Sequence, residues 1–365
     1  MRRGLWLLLG LFVVLALAGC AREISGVVQF AADAPDAPQT TVFPLSDTGR
    51  RVQTLYELIF WMALVVFVGV EGALLYILVR FRRPAGGVAS QTHGNTRLEI
   101  AWTVIPAVIL LIIAVPTIET IFSEDAPSAS ASENQIRVEV TGHQWWWEFR
   151  YPELGADVVT ANEFHLPVGR TAFITMTSAD VIHSFWIPKM TGKMDAIPTR
   201  VNHIWFTAQQ TGEYYGQCVQ FCGTEHADMR LRLFVDTPQD FDAWVRRQSQ
   251  GAQAPVTSTV GLAAVGARVF QSGACPGCHT IRGTPAQGKV GPDLTHVGSR
   301  TTIASGVLTN NLENLTRWVT DAQAVKPEAK MPTLGCEANT GTGPPTTCIT
   351  RSDVDAVVAY LRTLQ

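Results

Sequence analysis

Cys218-Val219-Gln220-Phe221-Cys222-Gly223-Thr224-Glu225-His226-Ala227-Asp228-Met229 decides the reading of this chain. Two thiols four residues apart, an imidazole four further on and a thioether three beyond that gather soft sulfur and borderline nitrogen on one short loop. That donor set selects copper over zinc or iron. Cys222, His226 and Met229 alone would suit a mononuclear blue-copper centre. Cys218 changes this, because a second thiolate lets both sulfurs bridge two metal ions, and the pair then calls for another imidazole. His183, in Ile182-His183-Ser184-Phe185-Trp186, is the natural donor. The competing reading is a structural disulfide between Cys218 and Cys222 beside an incidental His and Met.

Cys275-Pro276-Gly277-Cys278-His279 is the attachment signature of a c-type haem: two thiols for the vinyl groups and the next His as axial ligand. A redox Cys-x-x-Cys would not need the His. After Met229 the chain holds one further methionine, Met331, about fifty residues beyond His279, and it is the expected second axial ligand. His296 is the competitor. A Met ligand raises the potential relative to a second His.

The string from His183 to Pro188, followed by the twelve-residue loop, resembles subunit II of haem-copper cytochrome c oxidase. That resemblance implies a binuclear CuA centre held by His183, Cys218, Cys222, His226 and Met229, with the backbone carbonyl of Gln220 as the weak sixth donor. Most of the family has Glu at this sixth position, where the carboxylate also reaches a magnesium or manganese ion at the subunit I contact. A backbone carbonyl survives the change to Gln, whereas the second metal site is left in doubt. Gly291-Pro292-Asp293-Leu294 and Gly298-Ser299-Arg300 match the loop that small class I cytochromes c place against the ligand His.

Composition agrees with a membrane-anchored, multidomain chain. With 365 residues there is room for two or three domains, and charged residues make up only 16%. The net charge of -3, with no basic run, argues against a nucleic-acid partner. Acidic residues outnumber basic ones from Glu133 to Asp236, and basic ones lead slightly from Pro255 to Gln365, which favours a weak attraction between the two halves. Residues 1–19 have a basic start, a short apolar core and small residues before Cys20, as in a lipoprotein-type signal peptide with Cys20 lipidated. An uncleaved third helix is the alternative.

Leu58–Val79 and Ile100–Ile118 approach the length that crosses a bilayer. The hairpin is expected at 53–123, with helices about 57–80 and 98–121, after an extracytoplasmic segment 20–52. Arg80, Arg82, Arg83 and Arg97 put the connecting loop on the cytoplasmic side and everything after residue 122 outside. Glu71 lies within the first span, where facing a partner subunit outweighs any functional role. Glu99 opens the second helix in Leu98-Glu99-Ile100-Ala101-Trp102. This segment resembles the family motif whose Glu stands at the mouth of the proton channel into subunit I. A helix-start carboxylate favoured by the macrodipole is the plainer reading, and both can hold.

Beyond a Ser-rich linker the hydrophobic period becomes two at Ile136–Val140, Ala172–Thr177 and Asn202–Phe206, as in a half-buried sheet. An all-β cupredoxin-like Greek-key sandwich is expected at 133–237. Gly142-His143-Gln144-Trp145-Trp146-Trp147 reads as one bulky strand. It resembles the family's aromatic patch where cytochrome c docks, and on that resemblance Trp145 is where electrons enter. His143, His165 and His203 lack ligand spacing. Residues 238–259 read as a flexible tether with a short amphipathic piece, and 260–365 as an all-α cytochrome c domain with helices at Gly261–Gln271, Leu312–Asp321 and Asp353–Leu364, the last capped by Ser352. Cys336 and Cys348 flank a Gly/Pro-rich loop suited to a disulfide outside the cytoplasm, with two free thiols as the alternative.

The resemblance covers nearly the whole chain. It implies a subunit that takes electrons from an external donor, such as a cytochrome c or a quinol–cytochrome c reductase, onto haem c. They would then pass to CuA and to a haem in subunit I, with subunit III as a further neighbour in a bacterial membrane. Two other classes stand beside it: a CuA subunit of a nitric oxide or nitrous oxide reductase, and a non-catalytic copper-delivery or redox lipoprotein.

Overall fold

A computed structural model describes residues 39–82, 91, 93–124, 135–154, 158–252, 261–336 and 348–365. The signal-like segment with Cys20, the linker 126–132 and the loop 337–347 lie outside the described residues.

Two helices, α1 (Asp47–Arg80) and α2 (Thr96–Glu124), come first. At about 1.5 Å rise per residue both exceed the roughly 30 Å hydrocarbon core of a bilayer. Their apolar side chains are uncovered, with no buried residue in α2 and only Thr48 buried in α1, as lipid-facing helices require. Both run further than the apolar stretches 57–80 and 98–121 because polar contacts extend them on the domain side. Ser46 caps α1 by accepting from the Gly49 amide at 2.9 Å. Thr48 Oγ1 donates to the Met190 carbonyl at 3.1 Å, and Asp47 accepts from the Thr207 amide at 2.7 Å. At the end of α2, Glu124 pairs with Arg51 at 2.9 Å while its carbonyl accepts from Trp205 Nε1 at 3.2 Å. The outer end of the hairpin is thus fastened to the domain that follows.

That domain is a sandwich of two five-stranded sheets. Its strands are β1 (Gln135–His143), β2 (Trp146–Tyr151), β3 (Val158–Ala161), β4 (Glu163–Pro167), β5 (Thr171–Ser178), β6 (His183–Trp186), β7 (Met194–Ala196), β8 (Asn202–Thr207), β9 (Gly212–Cys218) and β10 (Arg230–Asp236). They are ordered β3-β2-β1-β5-β8 and β4-β10-β9-β6-β7. Strict alternation in β1 and β5 sends Val138, Val140, Ile174 and Met176 into the core between the sheets. The aromatic run is not one strand. Gln144 and Trp145 form the turn between β1 and β2, with a cis Gln144–Trp145 peptide, and Trp147 alone of the three tryptophans is fully buried.

Within the expected tether 238–259, the amphipathic piece is a helix packed on the sandwich. It is α3 (Pro238–Gln248), whose Phe241 and Trp244, spaced i,i+3 on one face, pack into the sandwich core. Trp244 stacks on His165, which pairs with Asp236 at 2.7 Å, so this His has an ordinary structural place.

The C-terminal domain comprises α4 (Leu262–Ser272), α5 (Cys275–Cys278), a short hairpin of β11 (Thr302–Ile303) and β12 (Leu308–Thr309), α6 (Leu312–Thr320) and α7 (Arg351–Leu361). Phe270 of α4 meets Tyr360 of α7 edge-on at 5.9 Å in a core shared with Val357 and Leu361. Ser352 does not cap α7. Thr350 does, accepting from the Asp353 amide while Asp353 reaches back to the Thr350 amide. Cys336 and Cys348 are disulfide-bonded, with Cα atoms 4.9 Å apart.

Candidate metal centre and haem cleft

The loop 218–229 is closed at its base, where the Cys218 amide donates to the Met229 carbonyl at 2.9 Å and β9 runs into β10. Strand β6 lies beside β9, pairing Phe185 with Cys218, and brings His183 to the same end of the sheet. The two sulfurs lie 3.8 Å apart, well beyond a disulfide bond. His183 Nδ1 is 3.9 Å from Cys218 Sγ, and His226 Nδ1 is 3.7 Å from Cys222 Sγ. Met229 Sδ lies 3.9 Å from Cys222 Sγ, and the Gln220 carbonyl 3.3 Å from Cys218 Sγ. The structure therefore brings all six sequence-selected donors together.

Asp180, which the sequence reading missed, completes the arrangement. Its Oδ1 lies 2.9 Å from His183 Nε2, which orients the ring and leaves Nδ1 facing the sulfurs. Burial works against the Asp180 carboxylate. Hydrogen bonds from His183, the Gln144 and Val181 amides and Lys330 nevertheless hold its pKa at about 2. The only sequence signal was an Asp three residues before the ligand His.

The thiols report what the loop is built for. The hydrogen bond from Cys222 lowers the pKa of Cys218, and the same contact together with burial raises that of Cys222, so the first thiolate to form opposes the second. Two close, largely buried sulfurs with imidazole, thioether and carbonyl donors around them fit a soft, thiolate-loving metal, and copper in particular.

The haem motif lines one wall of a cleft with about 1400 Å³ of atom-free space counted to its mouth. Cys275, Cys278, His279 and Met331 all face it, and His296 is absent from its lining. His296 Nε2 instead contacts the Gln250 carbonyl at 3.0 Å. His279 Nδ1 donates to the Pro292 carbonyl at 2.8 Å, which frees Nε2 for a metal. Burial lowers the pKa of His279, which favours the neutral ring that a ligand needs. A Cβ on Gly291 would stand 2.6 Å from His279 Cε1, so glycine lets the backbone lie against the imidazole. Large empty volume, paired thiols and a neutral His fit covalently held haem.

Trp145 stands between the two sites. It is 9% exposed, lines the haem cleft, and donates from Nε1 to the Cys222 carbonyl at 3.0 Å. Gly223 makes room for it: at φ 122° it has no side chain, and a Cβ there would come 2.8 Å from Trp145 Cζ2. The haem domain covers Trp145 from above. Ser305 Oγ and Lys326 Nζ donate to the Trp145 carbonyl at 2.7 and 3.0 Å, and Lys326 also donates to the Asp228 carbonyl at 2.9 Å. Burial lowers Lys326 to about 8 against the pull of Glu225 and Asp228. Lys330 reaches Asp180 at 3.2 Å.

Glu99 lies apart, near the start of α2, accepting from the Asn95 amide at 3.2 Å. Glu71 borders an apolar groove between the helices with Val70, Ile109 and Ile113.

Family models for cytochrome c oxidase subunit II match residues 44–120 (transmembrane domain) and 157–235 (periplasmic domain), and a cytochrome c model matches 263–365. Cytochrome c oxidase subunit 2 of Alkalihalophilus pseudofirmus is 36% identical over 329 residues, covering 88% of this chain and 90% of the relative. The chain belongs to the cytochrome c oxidase subunit II family. Cytochrome c oxidase subunit 2 of Bacillus sp. (strain PS3) is also 36% identical, over 78% of this subunit II chain and 80% of the relative. The solved periplasmic domain of subunit II of cytochrome oxidase of Bradyrhizobium japonicum is 35% identical, covering 33% of this chain and 94% of that one, with a TM-score of 0.30. By its membership of that family this subunit II is part of an oxidoreductase complex. Two apolar helices anchor it in a membrane, with its cupredoxin-like and cytochrome c domains outside.

Proposed function

We propose that the chain is the electron-accepting subunit of a proton-translocating cytochrome c oxidase in a bacterial cell membrane. In this reading an external donor reduces its haem c, and electrons go on to binuclear CuA and the haem of subunit I, where oxygen becomes water. The supporting observation is Trp145, which lines the haem cleft and is hydrogen-bonded to the backbone of Cys222. Cys275 and Cys278 would hold the haem, with His279 and Met331 on its iron. His183, Cys218, Cys222, His226, Met229 and the Gln220 carbonyl would hold two copper ions. When bound, these groups supply the one-electron chemistry that no side chain here provides.

The side chains do the positioning. Asp180 holds His183, the loop base holds Cys218 against Met229, and Trp145 is fixed at both its indole and its carbonyl. A preformed donor set limits rearrangement between oxidation states. At the opposite end, Glu99 would stand at the mouth of a proton path into subunit I, and its contact with the Asn95 amide is compatible with a helix-start role as well.

The test is turnover by the purified complex supplied with a reduced external donor. Oxygen consumption, with one haem c and two coppers per chain, is expected. Turnover of nitric or nitrous oxide in place of oxygen would move the chain to the nitrogen-oxide reductases, and loss of copper on simple dialysis would favour copper delivery.

A further inference from the structure

The haem domain is fastened to the sandwich at a place no sequence motif marks. Glu163, the first residue of β4, is only 4% exposed, and its carboxylate faces the other domain. Oε1 accepts from Thr301 Oγ1 at 2.7 Å, from the Thr302 amide at 2.6 Å and from Thr302 Oγ1 at 2.6 Å. Oε2 accepts from the Thr301 amide at 3.0 Å. All four donors belong to the haem domain, and none is a cation. The base of this contact is rigid. Asn162, the preceding residue, exchanges hydrogen bonds of 2.9 Å with the Trp147 backbone, and its carbonyl accepts from the Arg232 amide at 2.8 Å.

Thr301 and Thr302 open the hairpin β11–β12, and its tip carries the contact to Trp145. Ala304, Ser305 and Gly306 run at φ of 51°, 59° and 77°. Two successive non-glycine residues in the left-handed region persist only where the surroundings over-determine them. Those surroundings are the sandwich: Ser305 Oγ donates to the Trp145 carbonyl, and the Ser305 carbonyl accepts from the Arg230 amide at 3.2 Å. Arg300, immediately before the hairpin, lines the haem cleft. A short, continuous segment therefore runs from haem cleft to Glu163 to Trp145.

We propose that Glu163 is a positioning residue whose carboxylate locks the Thr301–Thr309 hairpin onto the sandwich, so that the haem domain delivers electrons from one fixed pose and not by a tethered search. The proposal rests on the haem-to-copper reading above. A buried carboxylate tolerates only the register in which its donors converge, because any slipped pose leaves a charge unpaired. Docking specificity thus comes from a contact that includes none of the proposed metal ligands, although Thr302 also lines the haem cleft. With the pose held, Trp145 is closed to outside proteins, and an external donor must reduce the haem first.

The assembled, fully loaded complex tests this. A photoexcited ruthenium complex injects one electron into haem c, and haem re-oxidation is followed at increasing solvent viscosity. Wild-type transfer is expected to be independent of viscosity. Glu163→Ala should slow it about tenfold or more by depopulating the docked pose, and should make it viscosity-dependent, with both metal spectra unchanged. Thr301→Val with Thr302→Val removes the two hydroxyl donors and keeps the two amides, so it should slow transfer less than Glu163→Ala does, and combining it with Glu163→Ala should slow transfer no further than Glu163→Ala alone. Glu163→Gln, which keeps one acceptor, should fall between. A second readout is hydrogen exchange at the Thr301 and Thr302 amides, expected to speed up in Glu163→Ala even without metals. Wild-type rate and viscosity independence in Glu163→Ala, unchanged exchange, or fully additive effects would each overturn the proposal. If Glu163→Ala does not assemble, the threonine pair decides alone. Absence of haem-to-copper transfer in the wild type would instead overturn the functional reading, and the exchange measurement would still judge the lock.

Discussion

Trp145 and Cys222 are joined by a 3.0 Å hydrogen bond from indole Nε1 to backbone carbonyl, and Cys222 carries one of the two sulfurs of the candidate copper site. The same tryptophan lines the haem cleft, and its carbonyl is held from the haem domain by Ser305 and Lys326. One residue is thus fixed from both sides of the boundary that electrons are proposed to cross.

Replacing Trp145 with Phe keeps a ring but loses the indole donor and shortens the bridge. Both metal spectra should persist. Transfer from haem c to copper should fall by at least about tenfold, because small displacements at a positioned contact have large kinetic effects. Single-electron injection into haem c measures this directly, and an unchanged rate would remove Trp145 from the path.

Cys218 separates a binuclear from a mononuclear centre. Cys218→Ser leaves Cys222, His226 and Met229 in place, which is a blue-copper donor set. Copper should drop from two ions to at most one per chain, with a mononuclear paramagnetic resonance spectrum and no onward transfer. A preserved two-copper spectrum would defeat the assignment.

Much of this was legible in the sequence because soft ligands at short spacing are rare and mutually constraining. The donor loop 218–229, the Cys275–His279 motif and Met331 could be picked out as candidates directly, and the fold gathers each set at one place, while the apolar runs marked the hairpin. Asp180 and Glu163 could not be read, since an isolated acidic residue looks the same whether it is solvated or buried against donors that only the fold assembles. The amphipathic piece that carries Phe241 and Trp244 was legible from its spacing, but the polar residues around it suggested a tether, and only the fold shows the two aromatics packed into the sandwich core. The turn at Gln144–Trp145 was missed because bulky side chains mimic a strand. Thr350 was overlooked as a cap because the helix was expected to start at Asp353, which put Ser352 just before it, whereas the helix starts at Arg351.

Asp180 should prove more consequential than its sequence context suggests. Asp180→Asn keeps the size but weakens the hold on His183 Nε2 and the link to Lys330. Copper affinity is expected to fall roughly 10–100-fold, as when the partner of a metal-bound His is lost. The pH response follows from the shift. A carboxyl lowered from 3.8 to about 2 stabilises the fold above pH 3.8, and that contribution drains away as pH falls towards 2. Below about pH 3.8 the stability of the metal-free wild type should therefore fall more steeply with acid than that of Asp180→Asn, which lacks this titration, so that the gap in stability between the two closes towards pH 2. Equal pH dependence in the two would contradict this.

Met331 faces the haem cleft on a segment pinned by Gln323, whose Nε2 donates to the Met331 carbonyl at 2.9 Å. Met331→Ala should retain the covalent haem, lose the sulfur-to-iron absorption band and lower the midpoint potential. Persistence of that band would show a different axial ligand.

Glu99 distinguishes proton supply from electron supply. Glu99→Ala should leave haem c and copper reduction unchanged, because those groups sit in separate domains beyond the membrane helices, while steady-state oxygen consumption falls. Glu99→Asp should lose much less. If the carboxylate only favours the start of α2, the cost is about 1 kcal/mol of stability with wild-type turnover.

The most direct measurement of the central claim is time-resolved reduction of the wild-type complex after one electron enters haem c. The account predicts that haem c re-oxidises and copper becomes reduced with a single shared rate constant, faster than steady-state turnover. Copper reduction that precedes or bypasses haem c, or haem re-oxidation with no matching copper signal, would contradict it.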